Sequence, residues 1–558
     1  MRKKIAMLLA LILLLSTIVA CANDNEEPAP PAAAEEEAPP VETEEEAPPA
    51  ATEDDPAPPE EVSEEETEEE GWSGHINVTL PSLGATMEVW EEIAAAYMAI
   101  NPGVTIEIND IDIDTYTDWL TAQIAGGEIL ADIVVSNTVA HFYPDGIFVD
   151  FSLYLNRPNP YQDNVPWREV MSHHAYTFDR RLSPDGQIYT LNIDTHQLPW
   201  FYNRDMFARL NIEPPSDWEE LIEISEIILE AGYVPLSIGG DADSFYSGVY
   251  GWLVMRYTDQ YWKDLMYRVA AQPGDYLFDP EIDGVWEFDI TDRFIDDLDR
   301  VNFNPLRFLR MIVDGEAGPD SDRYREMNAN FARVFPEFAG GPAFFGTSWS
   351  EAQDRFIRGE AAMTVDGSWF AAGFARTMED APEPFELGYF WDPPMRGDHI
   401  ATEHVRRSTG FSGFLSVVNK TREQNDLVMD FMMFYISQQG QTMRMQGLDR
   451  INHAPSGSVQ VYGVDLPEQW QDVLGPLALQ MDGNAYNNPL TGFARGLFSE
   501  PESVREFQDL TQRFLNGNIT VEEYSLEMHQ VILDAIPRYL EHMGFREDAL
   551  DDPSRDPR

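Results

Sequence analysis

The sequence predicts an α/β protein with two sizeable lobes. Strand-like and helix-like stretches alternate from residue 75 onward, and glycine or proline closes most of them. Such alternation is the signature of βαβ units. About 490 residues follow residue 71, more than one hydrophobic core usually holds. No period of twenty to fifty residues repeats, which argues against a solenoid or propeller.

The elements follow in order. "HINVTLPSL" (75–83) alternates and breaks at Pro81, a strand opening into a loop. "ATMEVWEEIAAAYMAINPG" (85–103) has helical spacing and ends at Asn101-Pro102-Gly103. "VTIEINDI" is a second strand by alternation, and "YTDWLTAQIAGGE" a second amphipathic helix closed by Gly126-Gly127. "ADIVVS" (131–136) is continuously apolar, as in a parallel sheet buried on both faces. In "LPWFYNRDMFARLNIEPPSDWEELIEISEIILEAG" a strand ends at Tyr202-Asn203 and a short helix stops at the two prolines. Ser216 with Glu219 then predicts a capping box for a longer helix. Residues 260–345 are rich in aromatics and charge, with helical pieces such as "ITDRFIDDLDRVNF". "EAQDRFIRGEAAMTVDGSW" reads helix, turn, strand, turn; "FELGYFWDPPM" and "GFSGFLSVVN" read as strands. Residues 422–446 form one long helix, and the chain beyond about 500 is mostly helical.

The amino terminus sets the compartment. Met1-Arg2-Lys3-Lys4 precedes an apolar run from Ile5 to Ala20, too short to favour a spanning helix. It ends in Ile18-Val19-Ala20-Cys21, which resembles a bacterial lipobox. Cys21 is the sole cysteine, so no disulfide forms within one chain. The expected protein is exported and held to the cell membrane by lipid on Cys21. One acyl chain anchors only marginally, so several, palmitate among them, are implied. Residues 22–71 then hold 21 acids, ten prolines and no Lys or Arg. Such a segment does not bury enough apolar surface to offset its ordering entropy. It reads as an extended tether.

Net charge is −63, and removing tether and signal leaves −45. Lys3, Lys4, Lys263 and Lys420 are the only lysines. Nucleic acid and anionic lipid surfaces need basic patches and are disfavoured as partners; no nucleic acid is expected. A carboxylate-rich surface of this kind suits high salt or high pH.

Catalytic patterns are mostly missing, although the 78 carboxylates beyond the tether leave an acid pair for glycoside hydrolysis open. There is no His-Glu-x-x-His, no nucleophile elbow around Gly410-Phe411-Ser412-Gly413, and no phosphate loop. Asp110, Asp112 and Asp114 begin like a calcium loop, but Thr115 and Thr121 occupy its Gly and Glu positions. They read as an acidic strand end. His173-His174 has no nearby Cys and the wrong spacing for one helix face, so it reads as a surface helix. Neither a metal nor a cofactor is expected. What stands out is aromatic supply: Trp90, Trp119, Trp200, Trp252, Trp349, Trp369 and Trp391, among thirteen tryptophans. Sugar rings stack their C–H faces on aromatics, and their hydroxyls pair with carboxylates, amides and Arg. Most tryptophans in a large protein are nevertheless core.

Several stretches together resemble one family. They are "WEEIAAAYMAINPGVTIEI", "LTAQIAGGEILADIVV", "WFYNRDMFARLNIEPPSDWEEL", "FIRGEAAMTVDGSWFAAGF" and "TGFSGFLSVVNKTREQNDLVMDFMMFYISQQGQ". In this order they are similar to the extracellular solute-binding proteins of ABC importers, family 1, which includes maltodextrin-binding proteins. Residues 255–345 and the C-terminus match poorly. The resemblance implies a two-lobed, periplasmic-binding-protein-like fold of type II, with a hinge and a ligand cleft between the lobes. By analogy lobe one covers 74–193 and 387–438, and lobe two covers 194–386 and 439–550. Residues 1–20 would be signal, 21–73 tether, and 551–558 a disordered tail. The implied protein is a monomer and not an enzyme. It would capture a carbohydrate, an oligosaccharide above all, for the transmembrane subunits of an ABC permease.

The resemblance also nominates residues. Trp369 sits where the family places a stacking Trp, with Asp366-Gly367-Ser368 as the turn that aims it. His196 stands where maltodextrin-binding relatives place a ligand carboxylate, which puts maltodextrin itself in doubt and brings forward neighbouring Asp194. Ser82, Ser136 and Asn137 lie at strand C-terminal ends, where open α/β sheets bind ligands. Trp349, Gly410 and Phe411 complete the set, while Trp200 suits core packing equally well. Two other classes stay open at this stage: a secreted polysaccharide-active enzyme, and a binding protein for a non-sugar solute such as a peptide.

Overall fold

The computed structural model describes residues 71–82, 86–177, 183, 186–242, 244–245, 248–379, 381, 383–407, 409–468, 470–471, 488–495 and 501–555. The signal, Cys21 and nearly all of the tether lie outside these residues. Eleven strands build three sheets among the described residues. They are β1 (Ser73–Pro81), β2 (Gly103–Ile111), β3 (Ile133–Val135), β4 (Asp194–Gln197), β5 (Trp200–Asn203), β6 (Val234–Leu236), β7 (Ala361–Val365), β8 (Leu387–Phe390), β9 (Thr409–Ser412), β10 (Leu415–Val417) and β11 (Ser458–Val459).

The first lobe carries the sheet β10-β3-β1-β2. β1 runs parallel to β2 and β3, and β10 runs antiparallel to β3. This is the predicted βαβ start, with the helices Thr86–Ile100 and Ile113–Gly126 as crossovers. Its core gathers Ile76, Val78, Tyr97 and Ile133 with Phe431, Phe434 and Met445. The second lobe carries β6-β7-β5-β8, over a larger core that includes Trp218, Tyr250, Tyr257, Phe331 and Met528. Between the lobes in chain order stands a third, wholly antiparallel sheet, β11-β4-β9. β4 leads straight into β5, so the chain passes from this small sheet into the second lobe within two residues.

Local rules explain most elements, and four expectations change. The helix Trp218–Glu230 is capped by Asp217, whose side chain accepts from the Glu220 N–H. Ser216 instead donates its hydroxyl to Glu220 Oε2 at 2.8 Å, so the predicted capping box does not form and the cap falls one residue later. The single helix expected over 422–446 is two, Arg422–Tyr435 and Gln438–Arg450, because Ser437 caps the second by accepting from the Gly440 N–H. "GFSGFLSVVN" supplies two strands, since Gly413 (φ 116°) and Phe414 (φ 46°) turn the chain between β9 and β10. "ITDRFIDDLDRVNF" forms turns rather than a helix. There Asp289 and Asp292 accept from the backbone N–H two residues on, at Thr291 and Phe294, a local pairing that competes with helix.

The lobe boundaries shift as well. β8 pairs with β5 through Leu387–Phe390, so residues from 387 belong to the second lobe's sheet. Buried ion pairs hold the following segment there: Arg256 with Asp392 at 2.7 Å, and Arg406 with Asp259 and Asp296 at 2.6 Å each. Conversely Met445, Leu448, Val461 and Trp470 join the first core, so the return to the second lobe comes after 470 rather than at 439. Residue 553 is not tail-like: its carbonyl accepts from Asn304 Nδ2 at 2.9 Å.

Candidate functional site

The site is built where the second lobe meets the small antiparallel sheet. β7 delivers Asp366 at its C-terminal end, and Ser368 opens the helix Ser368–Glu379. Trp369 therefore projects from a helix's first turn, as the sequence predicts. Its indole folds back over Gly367, where any Cβ would collide with the ring. Glycine at 367 is thus a requirement of the Trp369 conformer.

Three tryptophans converge. Trp369 lies edge-on to Trp252, with centroids 6.2 Å apart, and 6.4 Å from Trp349. Trp252 and Trp349 are 5.3 Å apart at 76°. All three keep part of their surface accessible. Trp252 is the sole position of the helix Val249–Trp262 that is not buried. A cluster of large aromatics that stops short of full burial presents ring faces and edges to whatever enters.

Asp366 fixes one wall. The residue is fully buried, and its Oδ2 accepts from Trp349 Nε1 at 2.9 Å and Gln353 Nε2 at 2.7 Å. Oδ1 accepts from the Gly367 N–H. Burial pushes the Asp366 carboxyl up, and these donations offset only part of the rise. Asp366 thus orients Trp349 from behind. The capping box of Ser348 and Glu351 sets the start of the Trp349–Ile357 helix.

His196 closes the other wall. It sits on β4 opposite Gly410 of β9, and a Cβ at 410 would collide with its Nε2. Its ring meets Trp369 at 4.8 Å and 72°. Desolvation lowers its pKa to about 4, so the ring is neutral at physiological pH. Nδ1 has no hydrogen-bond partner among the described residues. The next side chain, Gln197, is fully buried, and neither end of its amide has a partner there.

The remaining nominated residues separate by role. Asp194 is buried and gripped at both oxygens by Arg444, from the first lobe's helix Gln438–Arg450. Burial works against the charge on Arg444, but Asp194 outweighs it and the guanidinium pKa rises. That carboxylate secures β4 to the first lobe instead of lining the tryptophan cluster. Ser136 is likewise buried, bonded to Tyr143 and to Ser416 at 2.5 Å, so it ties β3 to β10. Ser82 and Asn137, at the ends of β1 and β3, stay partly accessible on the first lobe. Phe411 pairs through its backbone with Thr195. Trp200 is core, donating Nε1 to Asp392 at 2.9 Å. Sequence reasoning counted Trp252 in the aromatic supply without nominating it for the site, and it missed Gln353 and Arg444 as members of this region. The one available signal was Trp252, a bulky aromatic on a helix of otherwise apolar and polar core residues.

Comparison with known proteins agrees with this architecture. The family model described as "Bacterial extracellular solute-binding protein" matches residues 81–442. A protein of Brucella abortus (strain 2308), named only as a binding protein, is 30% identical over 156 residues. That alignment covers 27% of this chain and 34% of the relative, so the chain matches about a third of that curated protein's length. Among solved structures, a chitin oligosaccharide binding protein superposes with a TM-score of 0.53 at 18% identity, over 83% of this chain and 99% of that one. A cyclic alpha-maltosyl-1,6-maltose binding protein from Arthrobacter globiformis gives 0.53 at 15% identity, over 84% and 100%. A family 1 extracellular solute-binding protein from Bifidobacterium longum subsp. infantis gives 0.54 at 13%, over 83% and 100%. At such identities these likenesses show the fold, which is the two-lobed solute-binding fold. Among the described residues, no helix is long and apolar enough to cross a membrane.

Proposed function

We propose that this chain, which belongs to the bacterial extracellular solute-binding proteins, captures an oligosaccharide between its lobes and delivers it to an ABC permease. The observation that carries the reading is the cluster of Trp252, Trp349 and Trp369, braced by Asp366 and His196 beside the antiparallel sheet. Aromatic faces left accessible in this way suit the C–H faces of sugar rings, and a neutral His196 offers a hydroxyl one hydrogen-bonding partner. Ser82 and Asn137 supply polar groups from the first lobe. Two-lobed folds close on ligand by hinge motion, and the β11-β4-β9 sheet is the hinge in this reading. Lipid on Cys21 and the acidic tether hold the monomeric protein outside the cytoplasmic membrane. The solved proteins of the same fold that bind oligosaccharides support the ligand class.

A thermal-shift screen against mono- and oligosaccharides tests the proposal, because a ligand stabilises by mass action. An oligosaccharide should raise the melting temperature, and calorimetry should give one site without turnover. Cleavage of the glycan would replace the reading with an enzyme. A response to peptides and to no sugar would overturn the ligand class.

A further inference from the structure

The histidine pair, whose spacing suits no single helix face, acquires a third and fourth neighbour in the fold. The His173 and His174 rings lie with centroids 3.8 Å apart and tilted by 40°. His173 Nε2 lies 3.8 Å from Asp297 Oδ2 and 3.5 Å from Asp299 Oδ2. One ligand atom each from His173, His174 and Asp297 fall within 4.8 Å of one another. Asp297 is only 5% exposed, yet its Oδ1 has no hydrogen-bond partner among the described residues, and neither has His173 Nε2. A buried carboxylate oxygen without a donor is costly. A cation would satisfy it.

The two halves of the cluster belong to different lobes. Ser172 donates its N–H to Gln460 O, and Met171 and Ala175 sit in the first core, so the histidines ride on lobe one. Asp297 follows Asp296, which is bound to Arg406 and through it to Asp259 on the second-lobe helix Val249–Trp262. The Ala270–Phe303 bridge ties the end of the same segment to that lobe. We propose that His173, His174 and Asp297, with Asp299 as a fourth ligand, form a divalent transition-metal site that joins the two lobes. Two imidazoles with one or two carboxylates suit Zn2+ better than Ca2+ or Mg2+, which take oxygen ligands. Tetrahedral Zn2+ at about 2.0–2.2 Å from N and O sets ligand atoms roughly 3.4 Å apart. Rotamer shifts of about an ångström or two would bring the His173, His174 and Asp297 ligand atoms, now within 4.8 Å of one another, to that spacing. A metal held by both lobes binds one arrangement of them best and so shifts the lobe equilibrium toward it.

The test is calorimetry of ZnCl2 into tag-free protein, with millimolar Mg2+ present to occupy the surface carboxylates. The expected result is one Zn2+ per chain with a Kd below about 1 μM. His174→Ala should weaken binding at least tenfold, and so should His173→Gln. His173 is partly exposed, which keeps that second variant safe to fold, and unchanged metal-free melting would confirm it. Weak, multisite binding that is the same in wild type and both variants would overturn the proposal. It would leave the cluster as a His173 ion pair with Asp297 and Asp299.

Discussion

Acidification should expose His196 as a stability switch. The folded protein holds its ring neutral down to about 4, against an ordinary 6.5, and desolvation is the cause. Its neighbours are Trp369 and Gly410, and no charged group contributes to the lowering. The unfolded chain takes up this proton near pH 6.5, whereas the folded chain refuses it until about 4. Stability is therefore full above pH 6.5 and declines as pH falls toward 4. Each tenfold difference in proton affinity between the folded and unfolded chain corresponds to about 1.4 kcal/mol, so the loss is about 2 kcal/mol at pH 5. Part of the residue stays accessible, which makes that figure an upper bound. Urea unfolding of ligand-free wild type and His196→Gln at pH 7 and pH 5 isolates the effect, because all other titrating groups are shared. The difference between the two proteins should change by up to about 2 kcal/mol, with wild type losing more on acidification. Parallel pH profiles would refute the reasoning and mean that water reaches the ring freely.

Trp369→Ala should weaken oligosaccharide binding more than tenfold by calorimetry while shifting the ligand-free melting temperature little. A large fall in stability with affinity preserved would return Trp369 to the core. Arg444→Met leaves Asp194 buried without its partner and should cost about 3–5 kcal/mol in urea unfolding; adding Asp194→Asn should recover much of that, and an unaffected single variant would show the hinge pair to be idle. The surface charge of −45 on the globular part predicts a melting temperature that rises from 10 mM to 0.5 M NaCl as self-repulsion is screened; insensitivity to salt would count against repulsion as a significant term.

Local signals were legible where a residue's fate depends on its immediate neighbours. The β1-helix-β2-helix-β3 start follows from alternation, helical spacing and Gly126-Gly127. The strand, turn and helix around Trp369 follow from "MTVDGSW". Pairings across long separations were not legible. Asp194 is matched to Arg444, 250 residues away, by the return of the chain to the first lobe. Asp392 is matched to Arg256 across 136 residues, and this places 387–407 in the second lobe despite a family-like boundary. "ITDRFIDDLDRVNF" has helical apolar spacing, yet its aspartates cap their own backbone, and the energy of those turns depends on anchors at Arg406 and Lys263 that no window of sequence contains.

Long-range pairing also accounts for the position of the candidate site beside β4. β4 is pinned at its first residue by Arg444 from lobe one and passes into β5 of lobe two, with Thr195, His196 and Gln197 between. His196 uses that position to face Trp369, while glycine at 410 leaves room for its ring. A bulkier residue at 410 would push the imidazole toward the tryptophans and narrow the space between them. Asp366 works from the opposite side, holding Trp349 by one hydrogen bond and buttressing Gly367 by another. These contacts fix the aromatic cluster from both sides, and under the proposed function a cluster held in place in advance would lower the ordering cost of binding.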